Sequence, residues 1–279
     1  MKNIKRGIHC RRPPQVGATK QVIVDDDRSL LLGLIYRLRC INRWALNTTV
    51  RKRNVMEHSY LTTVIAHALV HIHNSLCTTG RVGVQDYSKC GITDEDMAVI
   101  HKAGTYRLED CLMAAMYHDV IEGMTGDIPS PIKRYSNEIY EALAKLDEHC
   151  SNKLVHEADK LNHVLARDIK EALVRTSNTD GRCMTSTVNT YDAGVRNIIT
   201  AADLLAAYAE CLEELGMGNK EFTECANNMI RLLGDISKAV PALKVILALG
   251  YDSIVQGREE LGCGDALLAE RSNEVQKHE

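Results

Sequence analysis

The chain lacks the marks of several large protein classes. It has no basic excess: the formal net charge is −3 at pH 7, which argues against general nucleic-acid binding through a positive surface. No stretch approaches the roughly 18 consecutive apolar residues that a bilayer span needs, so no membrane partner is expected. Residues 1–20 are basic and carry no apolar run, unlike a secretory leader. The ten cysteines are scattered from Cys10 to Cys263, with no CxxC pair and no dense framework. Reduced thiols in a cytoplasmic protein are therefore expected. Internal repeats and strand-type alternation are also missing. What is there is ordinary for a globular protein: 45% hydrophobic and 25% charged residues in 279, enough to bury a substantial core.

Helical periodicity runs through most of the chain. Residues 1–27, with Arg11-Arg12-Pro13-Pro14 and Asp25-Asp26-Asp27, read as an irregular arm; 28–257 as one helical domain; 258–279 as a tail. Helices are expected over 30–40, 55–74, 108–124, 132–150, 153–176, 195–215, 221–240 and 242–255. The second carries a core stripe of Leu61, Val64, Ile65, Ala68, Leu69 and Ile72. Residues 41–53 are polar and irregular, 77–94 read as a glycine-containing loop, and 177–191 as a polar insertion. Thr93 with Asp96 has the form of a helix-capping box. The expected fold class is all-α.

The pair His118-Asp119 stands out inside the apolar run Ala114–Val120. A buried carboxylate is costly unless it is paired or bound to a metal, and a divalent ion satisfies both side chains at once. His58 and Asp203 also lie at the edges of apolar helices. Two imidazoles and two carboxylates from separate helices suit a borderline or hard divalent cation with an open position for water. Glu122, three residues after Asp119, can orient or deprotonate that water. His67, His71, His73 and His101 read as ordinary helix residues; His67 and His71 have i,i+4 ligand spacing but no third partner.

The pattern His58 … His118-Asp119 … Asp203 resembles the HD-domain metallophosphohydrolases. Three longer segments resemble the bacterial HD-domain 5′-deoxynucleotidases more specifically: Arg39–Trp44 followed by Asn54–Ser59, Tyr117–Lys133, and Ala202–Tyr208 running into Cys211–Leu215. The similarity covers residues 30–240. It implies an all-α bundle with the metal site between helices, usually dimeric, that hydrolyses deoxynucleoside 5′-monophosphates. It implies metal ligation by His58, His118, Asp119 and Asp203, the ion being Co, Mn, Zn or Mg. Glu122 becomes the acidic residue that handles the attacking water, and Arg43 a phosphate-binding arginine. Trp44 lies near the sugar, Asp127 accepts from the 3′-hydroxyl, and Thr125 and Lys133 help to hold phosphate. The arm and the segments 77–107 and 177–191 depart from the pattern and bear on substrate choice.

Related viral HD-domain enzymes remove triphosphate from dATP and share the motif set. Three readings thus stand: a monophosphatase, a dATP-directed triphosphohydrolase, and an idle nucleotide-binding HD fold. A deoxynucleotide is the expected small-molecule partner, with no stable nucleic-acid complex, and a homodimer or higher homo-oligomer is the expected assembly. A bacterial cell or a phage-infected host is the expected setting.

Overall fold

A computed structural model describes residues 28–83, 85–133, 135–176 and 190–249. The expected arm, the tail and most of the 177–191 insertion lie outside these residues. Eleven α-helices follow one another among the described residues: α1 (Leu31–Arg37), α2 (Val55–Thr79), α3 (Asp94–Ala103), α4 (Leu108–Tyr117), α5 (Glu122–Thr125), α6 (Ser130–Lys133), α7 (Asn137–Asp159), α8 (His163–Thr176), α9 (Thr190–Gly216), α10 (Thr223–Ile236) and α11 (Ala242–Leu249). Short 3-10 turns cover Leu38–Cys40, Tyr87–Cys90 and Lys220–Phe222. The only strands described form a two-residue hairpin, β1 (Arg81–Val82) against β2 (Gln85–Asp86). The chain is thus all-α, with this hairpin inside the segment that reads as a loop. No helix among the described residues is long and apolar enough to cross a membrane.

The two longest helices build the centre. In α2 the Asn54 side chain accepts from Glu57 N at 2.9 Å, capping the first turn. Gly80, at φ 63°, ends the helix in the left-handed conformation that a side chain resists. Val55, His58, Thr62, Ala66, Leu69, Val70, His73 and Leu76 form its buried stripe at helical spacing; of the expected stripe only Leu69 is fully buried, Leu61, Ile65 and Ile72 are partly buried, and Val64 and Ala68 are exposed. That stripe faces α9, whose small buried residues Ala201, Ala202 and Ala206 let the two backbones come close. α4 and α10 complete the main core around them. A second core joins α1 to α7 and α8 through Leu31, Leu34, Leu154, Ile169 and Leu173. The Thr93–Asp96 capping box is present at the start of α3, and Asp96 also receives Lys244 Nζ of α11 at 2.7 and 2.8 Å.

Several boundaries differ from the sequence expectation, among them the start of α9 at Thr190 within the expected insertion and the end of α10 at Ile236. α2 continues past residue 74 to Thr79, because nothing breaks it before Gly80. α7 runs through Ser151-Asn152 to Asp159; the true break is at 160–162, where the Asn162 side chain accepts from the amides of Val164 and Leu165 and starts α8. The expected helix over 108–124 is interrupted: α4 ends at Tyr117, a tight turn carries His118 to Ile121, and α5 begins at Glu122. Asp119 and Glu122 are therefore related across a turn, with Glu122 N donating to Asp119 O at 3.0 Å, and not along one helical face.

Gly123 sets how closely α5 approaches α1. A Cβ at this position would lie 2.4 Å from the Leu34 carbonyl oxygen, a backbone atom that cannot swing aside. Gly123→Ala should lower stability by about 1–3 kcal/mol through overpacking. A urea titration of the variant whose midpoint matched that of the parent would contradict this contact.

Candidate metal centre

Each side chain of the cluster is delivered by a different piece of local structure. His58 sits one turn into α2 and is 1% exposed. His118 and Asp119 sit on the turn that breaks the helix after Tyr117. Asp203 lies midway along α9, with Ala201, Ala202 and Leu205 buried beside it. One ligand atom each from His58, His118 and Asp203 lies within 4.8 Å of the others. Asp119 Oδ2 is 3.1 Å from His118 Nε2 and 4.0 Å from His58 Nε2. The structure thus brings together all four expected ligands.

The helix break does chemical work here. Ending α4 at Tyr117 leaves the Ala115 carbonyl free of a backbone partner in the next turn, and His118 Nδ1 lies 2.8 Å from it. A carbonyl only accepts, so Nδ1 carries a proton and Nε2 is the ring atom that points into the cluster. That Nε2 is buried and makes no aligned hydrogen bond, despite the nearby Asp119 oxygen. On His58 the pattern repeats: Nδ1 donates to Glu210 Oε1 at 3.0 Å, which turns Nε2 toward Asp203 Oδ1 at 2.8 Å. An unpartnered buried nitrogen facing an imidazole and two carboxylates is a donor set that fits a divalent cation. Carboxylate or carbonyl partners on the far ring nitrogens are the usual support for such ligands.

Electrostatics follow from the packing. Burial works against the charged form of His118, but Asp119 and Asp203 outweigh it and push the ring up to about 9. Burial and Arg43 act likewise on His58, and hydrogen bonds to Asp203 and Glu210 still shift it upward. Asp119 is held well below the usual carboxylate range: burial would raise it, but His118, His58 and Arg43 prevail. Glu122 moves the other way, to about 9, because burial is reinforced by Asp119 and Asp127. Asp127 is raised mainly by burial.

The expected substrate residues gather on two sides of the cluster. Arg43 Nη1 is 3.8 Å from Asp119 Oδ2. Lys133 Nζ is 4.0 Å from Glu122 Oε1. Thr125 donates its hydroxyl to Gly126 O at 3.0 Å, leaving only its lone pairs free. A cavity of about 660 Å³ starts at His118, Asp119, Glu122, Thr125 and Lys133 and extends along α7 and α8, where Lys145 and Lys170 stand on its wall. Trp44 packs edge-on to Phe222 of the main core, ring centroids 5.1 Å apart, and its Nε1 donates to Glu210 at 2.7 Å. It is the sole non-glycine residue with positive φ among those described, at 61°.

Glu210 is the residue that sequence reasoning missed. It lies seven positions after Asp203, two turns along the same face of α9, and that spacing was the available signal. Glu213 and Glu214, one turn further on, hold the same loop: Arg51 and Arg53 pair with Glu213, and the amides of Val50 and Arg51 donate to Glu214.

Comparison with known proteins identifies the family and the fold. The chain matches the family model described as 5′-deoxynucleotidase YfbR-like over residues 31–93 and 88–248. It is 33% identical over 187 residues to the 5′-deoxynucleotidase YfbR of Salmonella arizonae, covering 67% of this chain and 73% of that one. It is 32% identical over 197 residues to a 5′-deoxynucleotidase of Yersinia pestis, covering 71% and 79%. Among solved structures, an HD-domain phosphohydrolase from Listeria innocua superposes with a TM-score of 0.56 at 17% identity, covering 89% of this chain and 97% of that one, which shows a shared fold.

With no ion bound, His118 holds its second proton at neutral pH, being pushed up to about 9, and His58 is shifted in the same direction. Ligation requires the Nε2 lone pair, so each ring loses a proton as an ion binds. Divalent-ion affinity should therefore rise with pH from about 6.5 to about 9. Calorimetry in buffers of different ionisation enthalpy should register net proton release; an affinity flat across that range would argue against these ligands.

Proposed function

The chain belongs to the 5′-deoxynucleotidase YfbR-like family, and from that premise we propose that it hydrolyses deoxynucleoside 5′-monophosphates to deoxynucleoside and phosphate with a divalent metal ion. The observation that carries this reading is the convergence of His58, His118 and Asp203 from α2, the turn after α4, and α9, within 4.8 Å. Asp119 closes the fourth side. Two imidazole ligands favour Mn, Co or Zn over Mg. Homodimeric assembly and a cytoplasmic setting belong to the proposal through the family relation alone.

His58, His118, Asp119 and Asp203 would hold the ion. When bound, a divalent ion polarises a phosphoryl oxygen and acidifies water. Glu122 orients the attacking water and takes its proton. Its carboxyl is neutral in the ion-free cluster, at about 9, and an added positive charge alongside favours the carboxylate it needs as a base. Arg43 stays fully charged and offsets charge on the phosphoryl oxygens with its planar fork. Lys133 adds a second cation on the Glu122 side. Thr125 borders the phosphate end, Asp127 accepts from the 3′-hydroxyl, and Trp44 stands on the sugar side where a 2′-hydroxyl would collide.

A second reading is hydrolysis of a deoxynucleoside triphosphate such as dATP. What favours it is the size of the cavity, about 660 Å³, which runs past Lys133 to Lys145 and Lys170 and has room for further phosphates, with Glu141, Asp147 and Glu148 on the same wall.

Incubation with dAMP and with dATP, each with Mn²⁺, Co²⁺ or Mg²⁺, separates the readings. Free phosphate from dAMP is the expected result; inorganic triphosphate from dATP selects the second reading; nucleotide binding without turnover refutes both. Glu122→Gln should lower kcat by about 10²–10⁴-fold while leaving ion affinity nearly intact. Asp119→Ala should lose both ion and turnover with the helical circular-dichroism signal retained; an active, ion-loaded D119A protein would contradict the assignment.

A further inference from the structure

Glu210 is almost fully buried, at 2% exposure, yet carries three donors from three directions. Its Oε1 accepts from His58 Nδ1 at 3.0 Å. Its Oε2 accepts from Trp44 Nε1 at 2.7 Å and from Arg43 Nε at 3.2 Å. One carboxylate thus touches a residue of the metal cluster, the arginine placed for phosphate and the indole placed near the sugar. We propose that Glu210 is a positioning residue that fixes the His58 tautomer and ring orientation for the ion and at the same time holds Arg43 and Trp44 in register with it. This rests on reading the cluster as a metal centre.

The chemistry of the three donors sets what the position tolerates. All three are N–H groups, so both oxygens of residue 210 must accept. A glutamine keeps the size but turns one of the two acceptors into a donor, which then faces a donor. Either His58 loses the group that holds its proton on Nδ1, or Arg43 and Trp44 lose their shared anchor. The geometry links the two halves of the pocket: the ion side through Oε1 and the substrate side through Oε2. Arg43 approaches Glu210 through Nε and Asp119 through Nη1, so the same guanidinium also ties Glu210 to the cluster.

The test uses the full chain and Glu210→Gln. Mn²⁺ affinity, measured by calorimetry without substrate, should fall about 10–100-fold in the variant. The emission of Trp44, the only tryptophan in the chain, should shift as its indole N–H loses the carboxylate. A folded E210Q protein that binds Mn²⁺ as the parent does, with unchanged emission, overturns the role given to Glu210 and leaves the metal reading standing. A parent protein that binds no Mn²⁺ overturns both. Should E210Q not fold, the parent decides: in long-range proton–nitrogen spectra of the Zn²⁺-loaded protein, His58 should carry its proton on Nδ1. A proton on Nε2 would refute the proposal.

Discussion

Mutual satisfaction of buried charge is the constraint on which the rest of this structure depends. His58, 1% exposed, lies between Asp203 and Glu210. Arg43 lies between Glu210 and Asp119. Any of these groups alone in the interior would carry an effective penalty of several kcal/mol. Together they alternate in sign, and each hydrogen bond or ion pair answers the desolvation of its neighbour. The small residues of α9 that allow α2 to come near are thus as much part of the site as the ionisable groups. Without that close approach the His58 ring would not reach a carboxylate on the facing helix.

The helix break after Tyr117 shows how local irregularity serves the same end. A continuous α-helix would use the Ala115 carbonyl for its own ladder and direct His118 and Asp119 about 100° apart around the axis. The turn releases that carbonyl for His118 Nδ1 and brings Asp119 Oδ2 to 3.1 Å from the same ring. It also places Glu122 at the start of a new short helix, facing the cavity beside the His–Asp cluster. Gly123 then lets that helix sit against the Leu34 carbonyl.

Much of the fold was legible because α1, α2, α9 and α10 announce themselves by apolar spacing, and because Thr93 and Asp96 form a local cap whose chemistry does not depend on distant residues. The break at 118–121 was not legible, since the apolar run continues on its far side through Val120, Ile121 and Met124 and periodicity does not register a change of backbone bonding. The α7–α8 boundary was misplaced because Ser151-Asn152 look like a terminus, whereas the Asn162 side chain forms the true one. Within the site, His58, His118, Asp119 and Asp203 could be singled out by type and motif. Glu210 was passed over despite its seven-residue spacing from Asp203, because a glutamate on an amphipathic helix normally faces solvent. Its three partners come from positions more than 150 residues away in the chain. The polar loop 41–53 likewise looked unstructured, yet Glu210, Glu213 and Glu214 clamp it to α9.

Trp44 occupies a backbone conformation that an L-amino acid enters only against a bias of about 1–2 kcal/mol. Glycine would relax the chain there, but it would have no indole to give to Glu210 or Phe222. The loop is accordingly a bent spring whose catch is a side chain: the Asn47 amide on the Trp44 carbonyl, the ring on the core and the indole N–H on the carboxylate keep it flexed. Any event that draws Glu210 away frees the spring, and Arg43 travels with its neighbour. Torsion is in this way stored in a single residue, one position along the chain from an arginine that faces two buried carboxylates.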